Sequence, residues 1–508
     1  MAGRKKAPHL FAAIDVGSFE LCMKIFEISA KGLRQIDSIR HRLALGTDSY
    51  TTHKISYEKM EELFRILQEF THIMKTYRVK EYQAYGTSAL RETENTELLL
   101  DQIRNRSGIS LDILSNSEQR FLDYKAIASR GEQFNKIIEK GTAIVDIGGG
   151  NIQLSLFDKG SLIITQSLKL GVLRLHERLQ NIQPRSSQVE ELLDEMICGQ
   201  LHIFKKIYMK DREICNLIIM DDYLSGRFTD AVTEADENRV ATAKDFLVFA
   251  ETLKTQGREE VADRLEMEEE SVDLLKISTG IMKRVVEAFD AETIWVPGAS
   301  LCDGIAYEYA ERKQFKIAER DFEQDIIACA GTISKRYQGS HKRSEAIERI
   351  ALAIFDGMRA AHGMGERERL LLRLAAILHD CGKFINMTNV GECSHAIILN
   401  TEIIGLSHLE RSMVADIVKY NHTAFDYVDD APGALTVAKL TAILRIANAL
   451  DKSQKQKITD MQARLLEDKL QICVDAGEDL LFEQERFRTH ASFFEEVYGI
   501  RPVIVHHE

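Results

Sequence analysis

The chain has 508 residues, 44% of them hydrophobic and 29% charged, with a formal net charge of −13. That length exceeds what one hydrophobic core sustains, so about two to four domains are expected. The acidic balance argues against a general nucleic-acid or anionic-membrane binder and confines any polyanion site to a local basic channel. The eight cysteines show no CxxC spacing, which suits a reducing compartment. Residues 1–10 carry Arg4, Lys5 and Lys6 but no signal-peptide core, and no apolar run reaches transmembrane length. A cytoplasmic protein without membrane partners is expected.

Residues 11–45 read as three strands. The first ends in Ala13-Ile14-Asp15-Val16-Gly17-Ser18-Phe19 and returns as the alternating run Leu21–Phe26. A helix follows from Ser56 to Tyr77, with Met60, Phe64, Leu67 and Phe70 on one face. The buried strand Tyr82–Tyr85 leads into a Thr87–Arg91 loop, then a helix, then a strand at Leu111–Leu114. Ile144-Val145-Asp146-Ile147-Gly148-Gly149-Gly150 repeats the first pattern 131 residues later and runs into Ile152–Phe157. Next come a strand at Leu162–Leu170, a helix at Ser187–Tyr208, and strands at Leu217–Met220 and Thr293–Val296. This alternation is α/β. Beyond Arg312 strand signals vanish until Leu470–Val474, so the tail is predicted helical with its own core.

In both repeats an apolar strand ends on Asp, passes a glycine turn and re-emerges as a strand. Such a turn lets backbone N–H groups face an anion, while the Asp can hold a metal or its bound water. Gly17, Ser18, Gly148, Gly149 and Gly150 are therefore candidates to cradle phosphate, and Asp15 and Asp146 to hold a metal or its bound water. A single Asp-x-Gly turn is commonly only a hairpin turn with the Asp bonded to its own backbone. Two copies with matched flanking strands favour a phosphate clamp between two related lobes. Arg91, after the Gly-Thr-Ser turn, carries a guanidinium able to grip phosphate bidentately; its plain alternative is a surface arginine at a helix start. Arg174, in Gly171-Val172-Leu173-Arg174-Leu175, is a further cation.

These hairpins resemble the phosphate-1 and phosphate-2 loops of the actin/Hsp70/sugar-kinase superfamily. More narrowly, the chain resembles the exopolyphosphatase/guanosine-pentaphosphate phosphatase (Ppx/GppA) family. The resemblance runs through Asp15–Ser18, the T-[SA]-A-x-R-like block Thr87–Arg91, Ser115–Tyr124, Asp146–Gly150, Gly171–Leu175 and Cys302-Asp303-Gly304. It implies two actin-like, ribonuclease H-like lobes (1–124 and 125–310) and an all-α HD-like C-terminal domain (311–508). It also implies a homodimer that removes the terminal phosphate from inorganic polyphosphate or a guanosine penta- or tetraphosphate, with Mg²⁺ as cofactor. Water would attack in line, and Arg91 would offset the developing charge.

The chain departs from the family pattern where water is activated. The second glutamate of the family's S-G-x-E-E-A block is Gln119 here, and the glutamate of D-I-G-G-G-S-T-E is Gln153. Glutamine can orient water but cannot take a proton. Glu118, by a one-residue slip, or Glu20 would have to supply a carboxylate. Asp221-Asp222 stand where a phosphate-cradling loop is expected, and Cys302 where an arginine is often found. Two readings follow: a hydrolase with a surviving carboxylate, or a catalytically degenerate sensor that binds polyphosphate or a guanosine alarmone. In the tail, His379, Asp380, His395, His422 and Asp451 resemble the HD metal-phosphohydrolase layout, with Asp356 or His362 standing in for an earlier histidine. A buried structural His379–Asp380 pair is the preferred reading over a metal centre. Lys383, Lys419 and Arg445 are either channel cations or solvated surface.

Overall fold

A computed structural model describes residues 9–29, 32–183, 185, 188–210, 212–221, 223–224, 227–228, 239–315, 320–427 and 432–506. Asp222 and residues 1–8 lie outside them. The chain divides into two compact units, Met1–Arg320 and Asp321–Glu508.

The first unit opens with β1 (His9–Val16), β2 (Glu20–Ser29) and β3 (Gly32–Arg42), an antiparallel meander. Helices α1 (Leu45–Thr52) and α2 (Tyr57–Tyr77) follow, then β4 (Glu81–Gly86), α3 (Ser88–Arg91), α4 (Thr96–Ser107), β5 (Asp112–Ile113) and α5 (Asn116–Ala128). The sheet order is β3-β2-β1-β4-β5, with β4 and β5 parallel to β1. β1 is apolar on both faces because both are covered, as parallel neighbours require. Ala12, Ile14 and Val16 pack with α2 and α4, while Phe11 and Ala13 pack with Leu301, Ile305 and Tyr309.

The second lobe repeats the plan. After α6 (Glu132–Ile137), β6 (Thr142–Ile147), β7 (Ile152–Asp158) and β8 (Ser161–Leu168) form the second meander. Then come α7 (Val172–Ile182), α8 (Val189–Phe204), β9 (Asn216–Asp221), β10 (Val240–Thr242), α9 (Ala243–Thr255), α10 (Arg258–Arg264), α11 (Glu269–Phe289), β11 (Thr293–Trp295) and α12 (Leu301–Arg312). The sheet order is β10-β11-β9-β6-β7-β8, again with parallel strands beyond the meander. The turns themselves match: Gly17 N–H donates to Glu20 O and Gly148 N–H to Asn151 O, both at 3.0 Å. The expected lobe boundary at 124/125 falls inside α5, and residue 310 falls inside α12. α5 and α12 cross so closely that a Cβ on Gly304 would lie 2.0 Å from Leu122 O, so only glycine fits there.

The second unit contains α13 (Phe322–Arg336), α14 (His341–Gly357), α15 (Glu366–Leu378), α16 (Val390–Leu399), α17 (His408–His422), α18 (Ala434–Leu450) and α19 (Leu481–Tyr498). It is not all-α. β12 (Ile458–Leu465), β13 (Lys469–Ala476) and β14 (Arg501–His506) form a sheet in that order. β13 alternates with Leu470, Ile472 and Val474 buried, which made it legible. β12 escapes a period-2 reading because its register shifts between Ile458 and Asp460. Among the described residues, no helix is long and apolar enough to cross a membrane.

Candidate functional site

The two matched turns open onto one cleft of about 540 Å³ within the first unit. Asp15, Gly17 and Ser18 line it from the first turn, Asp146, Gly148 and Gly149 from the second, and Thr87, Ser88 and Gln119 complete that end. The second turn is braced by α7. At the start of α7, Gly171 N–H donates to Gly150 O (3.1 Å), Val172 N–H to Gly148 O (3.0 Å) and Arg174 N–H to Gly149 O (3.2 Å). In a trans peptide the C=O and the next N–H point in opposite directions. The N–H groups of Gly149, Gly150 and Asn151 therefore face away from α7.

Among the described residues the cleft lining carries the carboxylates Asp15, Glu20, Asp123, Asp146 and Asp221 and the arginines Arg40, Arg42, Arg227 and Arg239. Arg40 donates to Glu20 at 2.8 Å, and Arg42 pairs with Glu268 and Ser271. Asp221 accepts the backbone N–H groups of Tyr223 and Leu224 and the Ser278 hydroxyl. Asp222 lies outside the described residues. At the position expected to hold arginine, buried Cys302 directs its thiol to Ala13 O (3.5 Å). The buried cation nearby is Lys24, paired with Asp303 at 2.7 Å.

Several expected site residues stand elsewhere. Glu118 closes a capping box with Ser115, accepting the Ser115 N–H at 2.9 Å while the Ser115 hydroxyl accepts its own N–H at 3.2 Å. Its carboxylate is committed to the start of α5, and Glu118 does not line the cleft. Arg91 donates to Leu114 O at 2.5 Å and to Asn116, bracing the entry to α5. Arg174 lies behind the glycine turn: its guanidinium donates to Gly150 O (3.0 Å), pairs with Glu92 (2.6 Å) and covers the Tyr50 ring at 4.4 Å. Gly150 lies against Tyr50, not in the described lining. Gln153 is 4% exposed on the face of β7 shared with Ser155 and Phe157, which α5 covers: Phe157 meets Tyr124, and Arg120 reaches Thr165, which pairs with Ser155. The Gln153 Oε1 and Asn151 Oδ1 atoms are buried and have no hydrogen-bond partner among the described residues.

Asp123 was missed. It lies four residues after Gln119 on α5, about 6 Å along the axis, is 5% exposed and lines the same cleft. The i, i+4 spacing was in the sequence, but nothing there marked which face of α5 meets the cleft.

In the second unit, Asp380 meets a residue that no motif suggested. The Arg343 guanidinium, from the first turn of α14, pairs with Asp380, donates to Asn448 Oδ1 (2.8 Å) and lies 3.7 Å from Asp451. His379 lies 3.1 Å and Lys383 2.5 Å from the same carboxylate. Burial alone would push the Asp380 carboxyl up, but the charges of His379, Arg343 and Lys383 hold it well below the usual range. The His422 Nε2–H donates to His379 O at 2.8 Å, and burial pushes its imidazole down to about 4. His395 pairs instead with Asp416 (3.1 Å). Asp356 binds Arg359 and Arg369, and His362 is buried on Phe355 O, so neither completes the set. Arg445 is 8% exposed and donates to two backbone carbonyls, and Lys419 pairs with Glu392. Among the described residues, no three His, Cys, Asp or Glu side chains group to hold a metal ion.

Comparison with known proteins agrees with this architecture. The model of the Ppx/GppA phosphatase family matches residues 24–313, and that of Ppx/GppA phosphatase domain III matches residues 328–490. Similar curated proteins include guanosine-5'-triphosphate,3'-diphosphate pyrophosphatases of Photobacterium profundum (20% identical, 86% of each chain) and Vibrio vulnificus (23%, 92% of each). Among solved structures, an Aquifex aeolicus Ppx/GppA family member (18% identity, TM-score 0.50) covers 61% of this chain and 99% of its own. A Cytophaga hutchinsonii exopolyphosphatase (20%, TM-score 0.51) covers 61% and 100%. These likenesses extend to the fold of the two α/β lobes. With the doubled turn, the shared cleft and family matches over both units, the chain belongs to the Ppx/GppA phosphatase family.

Proposed function

We propose that the cleft hydrolyses phosphoanhydrides, releasing the terminal phosphate of a guanosine pentaphosphate or of inorganic polyphosphate. The observation that carries this reading is the doubled Asp-x-Gly turn facing one cleft, with a row of N–H groups turned away from α7. Such a row favours an anion without adding a titrating charge. Asp15 and Asp146 would hold Mg²⁺, which commonly takes one or two carboxylates plus substrate phosphates. The Gln153 amide oxygen, without a hydrogen-bond partner among the described residues, lies on the register partner of Asp146; it is a ligand of the kind this hard cation accepts, and that supports the fit. When bound, the ion would neutralise charge on the phosphate.

Attack by water needs an orienting group and a proton acceptor. Gln119 orients the water through its amide, and Asp123, one helical turn on, accepts the proton. Phosphoryl transfer relies mainly on positioning and charge stabilisation, so glutamine at the first position is compatible with turnover. Phe19 and Tyr223, with ring centroids 4.6 Å apart, line the cleft and offer a surface for a base, which a bare polyphosphate chain does not use. That favours the guanosine substrate, as do the relatives' names. For the second unit we infer an HD-like helical arrangement in which the Arg343 guanidinium takes the place of a metal between Asp380 and Asp451.

The test is phosphate release in Mg²⁺ from guanosine pentaphosphate and from long-chain polyphosphate, by the native chain and by an Asp15→Asn/Asp146→Asn variant. Release by the native chain that the variant loses supports the reading. Tight binding without release would replace it with a binding protein, the role that Gln119 and Gln153 would then indicate.

A further inference from the structure

Tyr50 is absent from the described cleft lining, yet it touches three elements that form the cleft. Its hydroxyl lies 2.7 Å from Ser18 Oγ and 2.8 Å from Ser88 Oγ, and those two hydroxyls are 2.7 Å apart. A Cβ on Gly150 would fall 2.3 Å from the same phenol oxygen, so the phenol occupies the space that a side chain at Gly150 would need. α1 is fixed on both sides: Ser49 donates to Ala89 O (2.7 Å) in α3, and the Arg174 guanidinium covers the Tyr50 ring. One phenol thus touches the first turn, the Thr87–Ser88 turn and the second turn.

We propose that Tyr50 is a positioning residue that frees the Ser18 and Ser88 protons for an anionic oxygen. The inference rests on the reading that the two turns hold a phosphate. Two serines 2.7 Å apart satisfy each other, one donating to its neighbour, which leaves a single hydroxyl proton for a ligand. A phenol proton shared between the two serine oxygens replaces that bond, and both serine protons turn to the anion. Burial pushes the Tyr50 pKa up, so the phenol keeps its proton across the physiological range. Its contact with Gly150 couples the same group to the second turn, and the Arg174–Glu92 pair holds the arrangement from behind.

Calorimetric titration of inorganic tripolyphosphate in Mg²⁺ tests this on the native chain, Tyr50→Phe, Gly150→Ala and the double variant. Tyr50→Phe keeps the ring under Arg174 and removes only the hydroxyl. It is expected to weaken binding about 5- to 30-fold and, in turnover, to raise KM while leaving kcat nearly unchanged. Gly150→Ala is expected to weaken binding too, with a smaller effect once the hydroxyl is gone, so the double variant loses less than the product of the two. Tyr50→Phe binding at native affinity, or strictly multiplicative losses, would overturn the inference. Should Tyr50→Phe not fold, Ser88→Ala decides: a loss of about 5- to 30-fold supports the shared-proton arrangement, and native affinity overturns it. Failure of the native chain to bind tripolyphosphate at all would instead remove the phosphate reading on which the inference rests.

Discussion

Replacing Gly171 by alanine separates the cradle from its support. The added Cβ would meet Gly150 C at 2.2 Å, Asn151 N at 2.4 Å and Gly149 C at 2.4 Å, all backbone atoms that no rotamer change can move. The first turn of α7 must then retreat from the glycine turn. Retreat threatens the three backbone bonds to Gly148, Gly149 and Gly150 and the Arg174 side-chain bond to Gly150 O. At about 1 kcal/mol net for each bond, the loss reaches about 4 kcal/mol if the contact parts completely. The sole tryptophan, Trp295, is buried in β11 of the same lobe, so urea unfolding followed by its fluorescence reads this cost directly. Gly148→Ala is the control, because its Cβ would meet only Asn151 O at 3.5 Å. The expected outcome is a midpoint shifted to much lower urea for Gly171→Ala, little shift for Gly148→Ala, and loss of tripolyphosphate binding in the former. A Gly171→Ala protein with native midpoint and affinity refutes the reasoning that α7 orients the turn.

Arg343→Met leaves Asp380 and Asp451 buried without their guanidinium and is expected to cost about 3–5 kcal/mol in calorimetric unfolding, partly recovered by adding Asp380→Asn. The same cluster sets a pH dependence. The depressed Asp380 pKa gives stability that is present above the unfolded carboxylate value and lost only as pH falls toward the lower folded value. His422, held neutral down to about 4, binds its proton more readily in the unfolded chain, so stability falls as pH drops from about 6.5 to 4. The span corresponds to at most about 3 kcal/mol, and His422→Gln is expected to flatten that part of the profile. Arg174→Gln, which breaks the pair with Glu92 but not the backbone bonds of α7, is expected to weaken tripolyphosphate binding less than Gly171→Ala in the same titration.

The two turns were legible because strand periodicity, Asp and glycine recur at one spacing, and each strand sits between covered faces that demand apolar residues throughout. The commitment of Glu118 was also legible in principle, since Ser115-Asn116-Ser117-Glu118 carries the Ser-x-x-Glu capping signal. The placement of Arg174 and Tyr50 was not, because it depends on two lobes meeting across residues more than a hundred positions apart. Asp123 carried the right spacing from Gln119 but no mark of which helix face meets the cleft. Arg343 lies 37 residues before Asp380, with no motif joining them. The small sheet of the second unit was lost where a register shift blurs β12 and where β14 is only six residues long.

The most direct measurement is steady-state phosphate release from guanosine pentaphosphate in Mg²⁺ by the native chain, Asp123→Asn and Gln119→Glu, with KM and kcat resolved. The account predicts release by the native chain, a fall in kcat of roughly 10²–10⁴-fold for Asp123→Asn with KM nearly unchanged, and retained or increased kcat for Gln119→Glu. Native-like turnover by Asp123→Asn, or no release by the native chain, would contradict it.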